Sequence, residues 1–228
     1  MATDQPQPTK YQYSKPSLKG KMILNTEQAK FFAGNRFDSL MTSLFIIDVT
    51  SRKLAKRLKT FDHKAVVEAV SKKIERMEVA VRDESERMDA LLKSLGIKEL
   101  AGYSSPLTRE FEITSPEIKR MSSLLHAFDH LIIQVDTAWL HEKIDSSEAD
   151  EFRASKSNQM ARLIRSLVGL GQSARAKAYA SKVAELQEDI EKAEASVNAE
   201  KKDREAKGYI EPDGNADALD ALPDEAVA

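Results

Sequence analysis

Cysteine is absent from the 228 residues, which excludes a disulfide framework and any thiolate metal site and is compatible with a reducing cytoplasm. Aromatic residues are scarce, at 6% against 32% charged. That balance suits long solvent-exposed helices around a modest aliphatic core better than a β-sandwich. Long apolar runs are missing too: the longest, Leu44 to Ile47, falls far short of the roughly 20 residues a bilayer-spanning helix needs. The opening stretch MATDQPQPTKYQYSKP has neither an apolar signal core nor an acylation motif. No GxSxG, P-loop, GxGxxG or HExxH occurs. These absences lead us to expect a soluble cytoplasmic protein, not an enzyme, with no cofactor and no membrane partner.

What is present is charge with a polarity. The net charge is only −2, which by itself argues against a nucleic-acid partner. Yet Lys10, Lys15, Lys19 and Lys21 oppose only Asp4 at the front, and SRKLAKRLK adds Arg52, Lys53, Lys56, Arg57 and Lys59. The last eighteen residues carry Glu211, Asp213, Asp217, Asp220, Asp224 and Glu225 with no base. A basic front and an acidic end coexist.

Along the chain, residues 1–16 are polar and proline-bearing, a flexible arm. In SLKGKMILNT, Leu18, Met22 and Leu24 alternate with Lys19, Lys21 and Ile23, the pattern of a half-buried strand with a basic outer face. Gly20 weakens that strand and lets another backbone or a phosphate come close. Asn25 or Thr26 can cap a short helix that ends at Gly34-Asn35, and a second helix runs from about Phe37 to Leu58. From His63 to Leu95, apolar positions recur at three, four or seven residues, with Gly96 as C-terminal cap. TREFEIT reads as a second strand. SPEIKR then opens a helix with Ser115 as cap and Pro116 in first position. Its stripe Ile118, Met121, Leu125, Phe128, Ile132, Val135 and Trp139 is the expected spine of the core.

A further helix is expected to end near Leu170, between Gly169 and Gly171. The domain organisation that follows is one helical domain with a basic β-ribbon over 17–171, a charged helix over 172–207 and a disordered acidic tail over 208–228. The 172–207 helix is either a short coiled coil or an arm packed on the body. Two short strands without other partners must pair with each other or with a second chain, because unpaired backbone groups are costly. A homodimer sharing a two-stranded antiparallel ribbon is the expectation, on a mainly α scaffold.

Few residues suggest chemistry. His126 and His130, four apart on one helix, could face one metal, but boundary histidines explain the spacing as well. Asp129, beside Phe128 and Leu131, needs a hydrogen-bonded partner or a cation if buried. The basic strand says more. A two-stranded ribbon fits the major groove of B-DNA, where its outer side chains reach base edges. Lys19, Lys21 and Ile23 would face the bases. Asn35 and Arg36, at the start of the second helix, would clamp a phosphate, and Arg52, Lys53, Lys56 and Arg57 would add salt-sensitive affinity. Two plainer readings stand beside these: lysines that protect a sheet edge, and a basic helix end that suits the helix dipole. TREFEIT sets Arg109 against Glu110 and Glu112 and would repel phosphates, so contact is expected from the first strand.

ILNTEQAKFFAGNRF, YSSPLTREFEITSP and LLHAFDHLIIQVDTAWLHEKI together resemble the AcaB-like family encoded on integrating conjugative elements and conjugative plasmids, over about residues 20–170. The resemblance implies a ribbon-helix-helix scaffold elaborated with long helices, with residues 18–24 as ribbon, 26–33 as first helix and 36 onward as second. It also implies a transcriptional activator of conjugative transfer genes that binds double-stranded DNA. The competing class is a scaffold or assembly factor of a conjugative element that uses the C-terminal helix or acidic tail to hold a protein partner.

Overall fold

The computed structural model describes residues 16–57, 62–181 and 183–206. The arm expected over 1–16, save Pro16, and the acidic tail expected over 208–228 lie outside the described residues. The chain runs β1 (Leu18–Leu24), α1 (Glu27–Ala33), α2 (Asn35–Arg57), α3 (His63–Ser94), β2 (Leu107–Ile113), α4 (Pro116–Leu140), α5 (Ser146–Ala180) and α6 (Ala184–Ala206). The fold is mainly α with a two-stranded antiparallel sheet, β1 against β2.

Local signals fix most of these boundaries. Thr26, Asp62 and Ser115 accept from the backbone amides of Ala29, Ala65 and Ile118 and so begin α1, α3 and α4. Pro116 occupies the first turn of α4, where its missing N–H costs nothing. Asp145 and Glu148 form a reciprocal capping box at the start of α5. At the end of α3, Gly96 takes φ +72°. Its amide donates to Lys93 O and that of Ile97 to Leu92 O, both at 3.0 Å, a left-handed cap that satisfies the last carbonyls.

The ribbon closes within one chain, which corrects the expectation that it would be shared between two. Leu18 lies opposite Ile113, Lys21 opposite Glu110 and Leu24 opposite Leu107. The basic strand has its partner in the acidic one, and opposite charges directly across a ladder stabilise the pairing. The strand–helix–helix order therefore occurs twice in one chain, as β1–α1–α2 and β2–α4–α5, with α3 inserted between.

The inner face of the ribbon and the five helices α1–α5 enclose one core. Phe32 meets Phe128 edge to face at 5.8 Å, and Phe37 meets Phe111 at 5.3 Å. The expected spine of α4 is buried from Ile118 to Val135, but Trp139 is 39% exposed at the helix end. There its indole N–H donates to Ser146 Oγ at 3.1 Å and the Arg153 guanidinium lies over its ring. It is a rim residue rather than core.

The helix expected to stop at Leu170 continues to Ala180. Gly171 is not a stop: a Cβ built there would lie 2.7 Å from the Cα of Ser43, so the glycine is what lets α2 and α5 approach. After the turn at Ser181, α6 folds back along α2, antiparallel to it, as the ion pairs Lys53–Asp189 and Arg204–Asp38 at its two ends establish. Val183, Leu186 and Ile190 pack in a second cluster with Ile46, Val49, Leu54 and Ala178. The segment expected as one charged helix over 172–207 is thus divided between the end of α5 and α6, and α6 is an arm packed on the body.

Candidate nucleic-acid interface

Alternation along β1 and β2 sorts the ribbon into two faces. Met22 and Leu24 are fully buried on the inner face with Arg109 and Phe111. Leu18, assigned to the same face, is 66% exposed, since it lies opposite Ile113 at the ribbon's end and beyond the core. Lys19, Lys21 and Ile23 project outward with Thr108, Glu110 and Glu112. Register places these six directly opposite in pairs: Lys19 with Glu112, Lys21 with Glu110, and Ile23 with Thr108. Reading the strands separately set TREFEIT aside as repelling. Paired, its two carboxylates share the face with the two ammonium groups, and that face is charge-balanced.

The room at Gly20 serves the fold. A Cβ there would meet the Phe111 ring at 2.6 Å, so the ring, not an incoming phosphate, occupies the space.

Arg109, which the sequence shows only as one positive charge against Glu110 and Glu112, has a structural place of its own. Its side chain is fully buried. Nη1 donates to the Gly34 carbonyl at 2.9 Å, Nη2 binds Asp38 Oδ1, and the guanidinium lies 4.9 Å from the Phe37 ring centroid. Asp38 Oδ2 accepts from Arg204 of α6. The signal was present in the alternation, because Arg109 falls between Leu107 and Phe111 on the apolar face. The first turn of α2, expected to present free amides to a phosphate, thus already holds a buried carboxylate clamped by two guanidinium groups. Arg36, half-buried beside it, stacks on Phe31 at 4.9 Å. Asn35 opens the helix, and its side chain lies outside the described residues. Glu200 of α6 reaches the same corner. Burial, and next the neighbouring charge of Glu112, push its carboxyl above the ordinary glutamate value.

The second basic cluster is separate. Arg52 follows Arg36 by sixteen residues on α2, about 24 Å at the ~1.5 Å helical rise. Arg52 binds Asp48, whose carboxyl is pushed up by burial against the opposing pull of Arg52. Lys53 binds Asp189 and so helps seat α6. Lys56 is exposed, and the Arg57 side chain lies outside the described residues. The structure brings Lys19, Lys21 and Ile23 together, keeps Asn35 and Arg36 near that end, and sets Arg52 to Arg57 at the other end of α2.

Asp129 has its partners within the protein. Its carboxylate, 3% exposed, accepts from the Asn25 and Thr26 amides, from Asn25 Nδ2 and from Thr26 Oγ1, at 2.8–3.1 Å. It ties α4 to the junction between β1 and α1. His126 and His130 are exposed on α4, and among the described residues no three His, Cys, Asp or Glu side chains are placed to hold a metal ion. No helix among the described residues is long and apolar enough to cross a membrane.

No family model matches the sequence, and no curated protein matches it. Among solved structures, the fold is similar to selenomethionine-containing AcaB from uropathogenic E. coli. The TM-score is 0.69, the sequences are 21% identical, and the alignment covers 92% of this chain and all of that one. The ribbon, the five helices around the core and the arm thus compose an AcaB-like fold.

Proposed function

We propose that this protein is a DNA-binding transcriptional activator of conjugative transfer genes that docks its β-ribbon in the major groove of double-stranded DNA. The observation that carries the reading is the ribbon's outer face, where Lys19, Lys21 and Ile23 stand exposed on one side of a two-stranded antiparallel ladder. A ribbon of this width fits the major groove, lysine donates to guanine O6 and N7, and an apolar tip suits a thymine methyl. The motif resemblance to the AcaB-like family and the AcaB-like fold support the same reading. Arg36, with the backbone amide of Asn35 at the start of α2, is assigned in this reading to a backbone phosphate. Arg52, Lys53, Lys56 and Arg57, at the far end of α2, are assigned a salt-sensitive contribution to affinity from duplex that extends beyond the ribbon. The acting species is a homodimer that places two complete ribbons on DNA, not one shared ribbon.

The scaffold reading would free the C-terminal helix to hold a partner. The burial of Val183, Leu186 and Ile190 against α2 leaves that helix little apolar surface to offer. The test is retardation of promoter DNA by wild type and by Lys19→Ala/Lys21→Ala across a salt series. Wild-type affinity should fall steeply with salt, with a log–log slope of roughly 0.9 for each phosphate neutralised, and the double variant should bind more weakly throughout. Wild type that retards no DNA at low salt would refute DNA binding. Equal binding by the double variant would refute the ribbon as its contact.

A further inference from the structure

A ribbon shared by two identical chains is two-fold symmetric and reads a symmetric sequence. Here one chain supplies both strands, and they are chemically unlike: Lys19, Lys21 and Ile23 on β1 face Glu112, Glu110 and Thr108 on β2. All six are exposed. On the reading that this face enters the major groove, we infer that Glu110 and Glu112 are specificity-determining residues, and that each ribbon reads an asymmetric core of oriented G·C pairs.

The chemistry follows from the pairing. Directly opposed side chains on an antiparallel ladder start about 5 Å apart, comparable to the breadth of one base pair's edge. Guanine shows two acceptors in the major groove, and its partner cytosine shows an amino donor. An ammonium beside a carboxylate is the complement of that edge in one orientation only. Lysine takes guanine O6 and N7, while glutamate accepts from cytosine N4. The two pairs Lys21–Glu110 and Lys19–Glu112 are stacked two residues apart along the ribbon, so both impose the same orientation. Ile23 with Thr108 then suits a thymine methyl at one end.

The carboxylates also act against wrong sequences. A glutamate that meets an acceptor edge is desolvated without a partner, and near phosphates it repels. Low affinity for arbitrary DNA follows from a balanced face, in keeping with the chain's small net charge.

The test is selection from a randomised duplex library by wild type, by Glu110→Gln/Glu112→Gln and by Lys19→Ala/Lys21→Ala, each followed by affinities for selected and scrambled duplex. These side chains are exposed, so the variants leave the core intact. Wild type should enrich a half-site that is not its own reverse complement. The glutamine variant should bind scrambled DNA more tightly, lose about tenfold or more in discrimination, and shift cytosine positions toward adenine, whose N6 and N7 glutamine can grip. The inference is overturned if the half-site read by one ribbon is its own reverse complement, or if the glutamine variant keeps the wild-type motif and ratio while the lysine variant loses binding. That last pattern leaves DNA binding by the ribbon standing. Wild type that enriches nothing and retards no DNA overturns both readings, and unaltered binding by the lysine variant removes the ribbon and this inference with it.

Discussion

Replacing Asp129 by alanine removes the one acceptor shared by four donors at the junction where the ribbon becomes a helix. The Asn25 and Thr26 amides, Asn25 Nδ2 and Thr26 Oγ1 all point at its carboxylate. Asn25 is partly exposed and its side chain can turn to water, but Thr26 is fully buried. A buried donor left unsatisfied costs about 1–3 kcal/mol, and bonds to a charged acceptor stand at the upper end. With two backbone amides and a hydroxyl stranded and some relief from entering water, the loss should be about 3–5 kcal/mol. For a chain of this size that is a fall in Tm of about 6–20 °C. α1 has seven residues, too few to persist without tertiary support, so no local stability offsets the loss. Denaturant unfolding followed by circular dichroism would measure it. Asp129→Asn keeps the shape and one acceptor and should fall between. His130→Ala, exposed on the next position of α4, should stay within about 0.5 kcal/mol of wild type. An Asp129→Ala protein as stable as His130→Ala would refute the claim that this carboxylate organises the ribbon's attachment.

Gly171 and Gly169 make a paired test two residues apart on α5. Gly171→Ala drives a methyl into Ser43 of α2, including its backbone, and should cost about 1–3 kcal/mol. Gly169→Ala meets nothing within 4 Å and should stabilise by up to about 1 kcal/mol through helix propensity; similar shifts in unfolding midpoint would refute the close approach. Glu200 has its carboxyl raised by burial and by Glu112, so the folded state holds that proton more tightly than the unfolded one. The associated stability is present at acid pH and is lost as pH rises through the raised value. Glu200→Gln should therefore gain stability relative to wild type as pH climbs above the ordinary glutamate value of 4.5, and a difference independent of pH would refute the assignment.

Short-range chemistry made much of this fold legible. Ser115-Pro116 and Gly96 bounded helices where they were expected to, and the buried, partnered state of Asp129 followed from its place beside Phe128 and Leu131. Two unpartnered strands had to pair, but nothing local says whether the partner lies in the same chain. That depends on where α3 returns the chain. Gly171 looks like a stop in the sequence because a glycine that ends a helix and one that admits a neighbouring helix are alike without the neighbour. Trp139 continued the α4 periodicity, yet the core ends before the helix does. The outer face was half visible: Lys19, Lys21 and Ile23 stood out as basic and alternating, while Glu110 and Glu112 became part of it only through the register.

Arg109 connects the ribbon's orientation to the rest of the molecule. A buried guanidinium on the inner face is expensive, and an aliphatic residue there would pack at less desolvation cost. What the arginine adds is directional: it binds the Gly34 carbonyl and Asp38 together, so β2 is held to the α1–α2 junction through two fixed bonds instead of a sliding apolar contact. Arg204 binds the second oxygen of the same carboxylate, which couples the far end of α6 to the same point. The ribbon's angle relative to α2 is thus set by α6 as well as by the core. An arm seated on α2 by Val183, Leu186 and Ile190 at one end and by Arg204 at the other braces the ribbon whose outer face is proposed to meet DNA. In this fold the charged C-terminal helix and the ribbon belong to one mechanical unit.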